Sequence, residues 1–118
     1  MKKILIIVRA SPYGGIRARE ALDAVLLFSA FAPEISVLFT GDGVWQLVDG
    51  QRPAAIAAKS VEATLGAFES YDIKRVYADR EALALRGIAV DGLLAGAQAL
   101  DAGAMRELLT AHDRVVTL

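Results

Sequence analysis

Apolar and polar residues are arranged in blocks along this chain, and the blocks predict strands and helices in alternation. Ile4–Val8 is an unbroken aliphatic run, which is typical of a strand buried on both faces of a parallel sheet. The predicted strands are 4–8, 35–39, 75–78, a weak strand within 92–97, and 114–118. Residues 17–32, 54–70, 79–85 and a last segment capped by Asp101 have helical periodicity. This order predicts an α/β fold, a single domain over 1–118 with an open, mostly parallel five-stranded sheet and helices on both faces.

The predicted first helix changes character along its length. Its first two turns are amphipathic, whereas the polar face is lost after Asp23 and the run to Phe31 is apolar on nearly all sides. A sheet covers only one side of a helix, so this end needs another cover. We therefore predict that Phe28 and Phe31 lie in a subunit interface.

The segment after the second strand is glycine-rich and yet apolar. It contains the only Trp of the chain, Trp45, among further large apolar side chains, although loops normally expose polar residues to water. We predict that it contributes to the same interface, with Trp45 packed in its own core as the alternative. Asp42 is predicted to cap a helical turn. The predicted interface residues of this segment are Asp42, Gly43, Val44, Trp45, Gln46, Leu47 and Gln51.

Composition supports an oligomer and excludes several functions. Hydrophobic residues make up 55% of the chain, more than is usual for a soluble domain. The net charge of −1 argues against direct nucleic-acid binding, and no apolar run is long enough for a membrane span or a signal peptide, so we expect a cytoplasmic protein. The chain has no Cys and a single His, which excludes disulfides, thiolate chemistry and His-rich metal sites. No cofactor, metal or catalytic residue is predicted.

In open α/β sheets, ligands bind beyond the carboxyl ends of the strands. Three positions in this chain are candidates for such a functional role. The first is a candidate ligand loop formed by Ser11, Tyr13, Gly14 and Gly15, although it lacks the glycine patterns of phosphate-binding loops and an unoccupied turn is favoured. The second is Asp79, for which a structural helix cap is favoured over catalysis. The third is His112, which is predicted to be partly buried and hydrogen-bonded, because no nucleophile pattern accompanies it.

Several strings in the chain resemble the DsrE/DsrF family. They are Gly15 with 19–24, the strings 42–47 and 50–53, then 71–73, and finally Leu83 with Arg86 and Gly87. The string 42–53 is similar to the TusC/DsrF branch of that family. The resemblance implies a subunit of a cytoplasmic sulfur-relay complex, built with homologous TusB-like and TusD-like chains as a hetero-oligomer up to a heterohexamer, or by self-association. It also implies an indirect link to TusA-like and TusE-like sulfur carriers, in tRNA wobble-uridine 2-thiolation or in dissimilatory sulfur metabolism.

The resemblance also implies where sulfur would be carried. The persulfide cysteine of the TusD-type chain falls at or within one residue of Asp79, and this chain has no Cys at all. Its implied role is therefore architectural or regulatory, not enzymatic by itself. Two alternatives stay open: a doubly wound domain that binds a small molecule or nucleotide, and a stand-alone homo-oligomeric relative without sulfur chemistry.

Overall fold

The computed structural model describes residues 3–12, 17–31, 34–48 and 65–118. Five strands form one sheet in the order β4-β3-β2-β1-β5, and every neighbouring pair is parallel. The strands are β1 (Lys3–Val8), β2 (Glu34–Phe39), β3 (Arg75–Asp79), β4 (Gln98–Leu100) and β5 (Arg114–Thr117). The predicted fold class is confirmed.

Helices connect the strands. They are α1 (Arg17–Ser29), α2 (Arg80–Leu85) and α3 (Ala102–Thr110), with two 3-10 helices, Gly41–Leu47 and Leu94–Gly96. Of the helix predicted over 54–70, residues 65–67 are helical and 68–72 form a turn, while 54–64 lie outside the described residues. Helix α1 ends at Ser29 instead of Ala32, because the Phe31 N–H bonds the Phe28 carbonyl in a tighter turn.

The prediction of the fourth strand was wrong in position. Gly92, Ala95 and Gly96 have positive φ angles of 75°, 59° and 65°, which an extended strand does not tolerate. Residues 92–97 therefore form a turn and the short 3-10 helix, and β4 begins only at Gln98, opposite Tyr77. The pattern of apolar residues in 92–97 reflects packing of loop side chains against the core.

The core lies mainly on one face of the sheet. Alternate residues of the three central strands point to it, among them Ile6, Val37 and Val76. They pack against α1 and against the buried Leu65 and Phe68. The opposite face buries Leu5 and Leu38 and is covered by α3, which has no fully buried residue. Among the described residues, one nine-residue helix thus covers this face, while the other face carries most of the packing.

Candidate functional site

The N-cap of the 3-10 helix after β2 is Thr40, not Asp42. Thr40 has an extended backbone and precedes the 3-10 helix Gly41–Leu47, whereas Asp42 lies within its first turn. The predicted cap at Asp42 is therefore wrong. The reason is that the Asp42 carboxylate accepts hydrogen bonds from a distant side chain instead of from the local backbone.

Gly43 allows the segment after β2 to lie close against the end of β1, because it has no Cβ atom. A Cβ atom at Gly43 would lie 2.3 Å from the Val8 carbonyl oxygen and 3.2 Å from the Arg9 Cα. The Thr40 N–H donates to the same Val8 oxygen at 3.1 Å. The two backbones approach so closely that only glycine fits without displacement.

Much of the apolar segment packs into the chain itself. Val44 and Leu47 are fully buried in the core, and Gly43 is buried as well. Gln46 is buried too: its Nε2 donates to the Ala10 carbonyl, while its Oε1 has no hydrogen-bond partner among the described residues. The Val44 and Leu47 side chains are therefore buried in the core of this chain itself.

The predicted interface is accordingly narrower than the sequence suggested. Gly43, Val44, Gln46 and Leu47 are buried within the chain and present no exposed side chain to a partner, and Gln51 lies outside the described residues. Asp42 is exposed, and Trp45 and Phe28 are half-buried. Phe31 and its neighbour Leu27 keep 81% and 63% of their surface exposed.

An ion pair between Asp42 and Arg86 joins the segment after β2 to the end of α2. Arg86 Nε and Nη2 both donate to Asp42 Oδ1, at 3.2 and 2.9 Å. Arg86 Nη1 donates to the Ala82 carbonyl at 3.0 Å, which anchors the guanidinium on its own helix. Gly87 follows the C-cap Arg86 with φ +67°, a left-handed conformation that favours glycine at the end of a helix. The Arg86 and Gly87 pair thus has a structural role.

Asp79 is the N-cap of α2, as predicted. Its side chain accepts hydrogen bonds from the Glu81 and Ala82 N–H groups at 3.0 and 3.4 Å. The carboxylate therefore meets the positive end of the helix. Asp101 caps α3 in the same way, through the Ala104 N–H at 2.8 Å.

His112 is half-buried and hydrogen-bonded through both ring nitrogens, as predicted. Its Nδ1 lies 2.7 Å from the Leu108 carbonyl oxygen, which can only accept, so Nδ1 carries a proton. Its Nε2 lies 3.0 Å from the Ser36 hydroxyl on β2. The ring thereby ties the end of α3 to the sheet.

Other predicted positions give little chemistry. Ser11 is half-buried and already interacts within the chain, and Tyr13, Gly14 and Gly15 lie outside the described residues. Within the described part of the chain, no group of acidic and histidine side chains could hold a metal ion. None of the described helices has the length and apolarity needed to cross a bilayer.

Sequence reasoning missed a cleft at the carboxyl ends of the strands. Its volume is about 560 Å³, and three arginines, Arg9, Arg17 and Arg86, line it. They come from three separate segments, so no motif connects them. The only signal in the sequence was that Arg9 and Arg17 flank the loop after the first strand.

These features define a doubly wound α/β protein whose strand ends offer helix caps and arginines, with no cysteine in the chain. A model of the DsrE/DsrF-like family matches residues 2–118, and the chain belongs to that family.

Two relatives are similar to this chain in sequence, and one solved structure is similar to it in fold. The chain is 40% identical over 117 residues to a "Protein TusC homolog" from Vibrio parahaemolyticus, with 99% of each chain covered. It is 40% identical over 94 residues to the "Intracellular sulfur oxidation protein DsrF" of Allochromatium vinosum, covering 80% of this chain and 69% of that protein. The crystal structure of the YchN protein from E. coli covers both chains completely, with a TM-score of 0.82 and 19% identity. That likeness supports the fold.

Proposed function

We propose that this chain is a non-catalytic subunit of a cytoplasmic sulfur-relay complex. The observation that carries the proposal is Asp79 at the β3–α2 junction of a chain without Cys. The family resemblance puts a persulfide cysteine of a homologous chain at or next to this position. A carboxylate that caps a helix cannot carry sulfane sulfur, so sulfur transfer belongs to a partner.

The names of the relatives support the sulfur-relay part of the proposal. One relative is a TusC homolog, and another is a protein of intracellular sulfur oxidation. The proposed partners are homologous TusB-like and TusD-like subunits, in a hetero-oligomer that exchanges sulfur with TusA-like and TusE-like carriers. The proposed end use is 2-thiolation of the tRNA wobble uridine or dissimilatory sulfur metabolism.

The exposed end of α1 supports an assembled state. Leu27 and Phe31 are large, apolar and mostly exposed, and Phe28 beside them is half-buried. Large exposed apolar side chains grouped at one end of a helix favour contact with another protein. We therefore assign this end of α1, together with Trp45 and Asp42, to the subunit interface.

The experiment that tests the proposal is sulfur transfer in a reconstituted complex. The chain is co-expressed with TusB-like and TusD-like chains, purified, and loaded with radiolabelled sulfur. We expect label on the TusD-like chain and none on this one. The Asp79→Asn variant should assemble and transfer sulfur normally, since Asn caps a helix about as well as Asp. Asp79→Ala should lower stability by about 1 kcal/mol and leave the transfer rate unchanged.

Two results contradict the proposal. If the three chains do not co-purify, this chain is not a subunit of such a complex. If Asp79→Asn abolishes transfer at unchanged assembly, the chain contributes chemistry and is not merely structural. Deletion of the gene then separates the two end uses: loss of tRNA 2-thiouridine indicates thiolation, and loss of sulfur oxidation indicates dissimilatory metabolism.

A further inference from the structure

The arginine-lined cleft lies where three neighbouring strands end. Arg9 and Ala10 follow β1, Gly41 and Asp42 follow β2, and Thr117 and Leu118 end β5. Arg17 at the start of α1 and Arg86 after α2 complete its wall. The cleft is therefore built by the sheet itself, with every wall tied to a strand end or a helix end.

The order of the strands makes the carboxyl ends of β1 and β5 a favoured place for a ligand. From β1 the chain passes to β2 on one side, whereas β5, reached through α3 from the far edge, lies on the other side of β1. The direction of the connections thus reverses between β1 and β5. In open α/β sheets, ligands bind outside the carboxyl ends of the strands at such a reversal.

The charges in the cleft favour an anion. Arg9 and Arg17 are exposed, and within the described part of the chain no carboxylate forms a salt bridge with either side chain. Arg86 is held in place by three hydrogen bonds to Asp42 and Ala82, which leaves two of its five N–H donors. Three arginines face one aspartate.

We propose that this cleft binds an oxyanion of the sulfate or phosphate class, either free or as the terminal group of a small molecule. Guanidinium groups match such oxygens with paired, charge-assisted hydrogen bonds. The positive end of α1 adds a favourable field at Arg17. The site uses no residue of the β3–α2 junction, and its test measures anion binding instead of sulfur transfer.

Calorimetric titration of the purified full chain, in whatever assembly it forms, tests the site. The probes are inorganic sulfate, inorganic phosphate and phenyl phosphate, each at ionic strength held constant with sodium chloride. The test variant is Arg9→Gln with Arg17→Gln, which leaves the Asp42–Arg86 pair intact. The matched control is Arg80→Gln with Arg106→Gln, which removes two exposed arginines outside the cleft.

We expect saturable binding of at least one probe to the parent chain and to the control variant. Binding should be about tenfold or more weaker in the Arg9 and Arg17 variant, because that variant loses two guanidinium groups that can donate charge-assisted hydrogen bonds to the anion. Stronger binding of phenyl phosphate indicates a small-molecule ligand, and stronger binding of the inorganic ions indicates a free anion. The proposal is overturned by the absence of saturable binding to all three probes. It is equally overturned if the test variant binds as the parent does, or if both variants weaken binding equally.

Discussion

At the scale of single residues, two residues of the segment after β2, Gly43 and Gln46, explain its unusual composition. Gly43 allows the backbone to approach β1, and Gln46 bonds the Ala10 carbonyl from inside the core. Both residues lie where the backbone of the segment after β2 passes close to the backbone at the end of β1. The glycines and apolar residues that look contradictory in one loop therefore belong to a single close contact.

A substitution at Gly43 tests this contact. Gly43→Ala places a methyl group 2.3 Å from the Val8 carbonyl oxygen, and this oxygen cannot move without disturbing β1. We expect the free energy of unfolding in urea to fall by about 1–3 kcal/mol. The matched control is Gly66→Ala, where a Cβ has nothing within 4 Å; there we expect a gain of up to about 1 kcal/mol, since Gly66 is helical. Equal stability of the two variants would show that the close approach does not matter.

At the scale of elements, the Asp42–Arg86 pair joins the 3-10 helix after β2 to the end of α2. The Asp42 side chain is 65% exposed and that of Arg86 is 24% exposed, so solvent screens much of the attraction. The anchoring of Arg86 on Ala82 reduces the entropy lost on pairing. The pair therefore acts mainly as an orienting contact, which holds Arg86 at the rim of the cleft.

A double-mutant cycle measures this pair. Asp42→Ala, Arg86→Ala and the double variant are compared by urea unfolding at low and high salt. We expect a coupling energy of about 0.2–1 kcal/mol that decreases with salt. A coupling energy that is zero at low salt contradicts a specific pair. As a control, the same cycle on Lys74 and Asp72, an exposed pair within one turn, should give a smaller value.

At the scale of the whole molecule, the two faces of the sheet are unequally covered, and apolar surface remains at the end of α1. The core face is packed by α1 and by the segment that contains Leu65 and Phe68. Leu27 and Phe31 lie outside that packing. A chain with 55% hydrophobic residues thus keeps part of its apolar surface available for assembly.

Replacement of Phe31 tests whether this surface is the interface. Because Phe31 is 81% exposed in the chain, Phe31→Ser should change the stability of the fold by less than about 0.5 kcal/mol. It should weaken assembly by about 1–2 kcal/mol, measured by analytical ultracentrifugation of the complex. Leu85→Ser is the control, since Leu85 is similarly exposed at 76% but lies on α2. An effect of Leu85→Ser alone would move the interface away from α1.

Local patterns in the sequence were sufficient for four of the five strands and for two helix caps. Aliphatic runs identified β1, β2, β3 and β5, and Asp79 and Asp101 were recognised as helix caps. These predictions succeed because strand burial and helix capping depend on residues that are neighbours along the chain. The position of β4 failed because positive φ angles in 92–96 interrupt an apolar run without changing its composition.

Only the tertiary structure decided which distant residues meet. The sequence alone determined a parallel α/β fold and the absence of Cys, because composition and periodicity are properties of single segments. The burial of Val44 and Leu47 in the chain's own core depends on how the segment after β2 crosses β1. Asp42 meets Arg86 from 44 residues away, and Arg9 and Arg17 join Arg86 in one cleft, because strand order brings separate loops to one edge of the sheet.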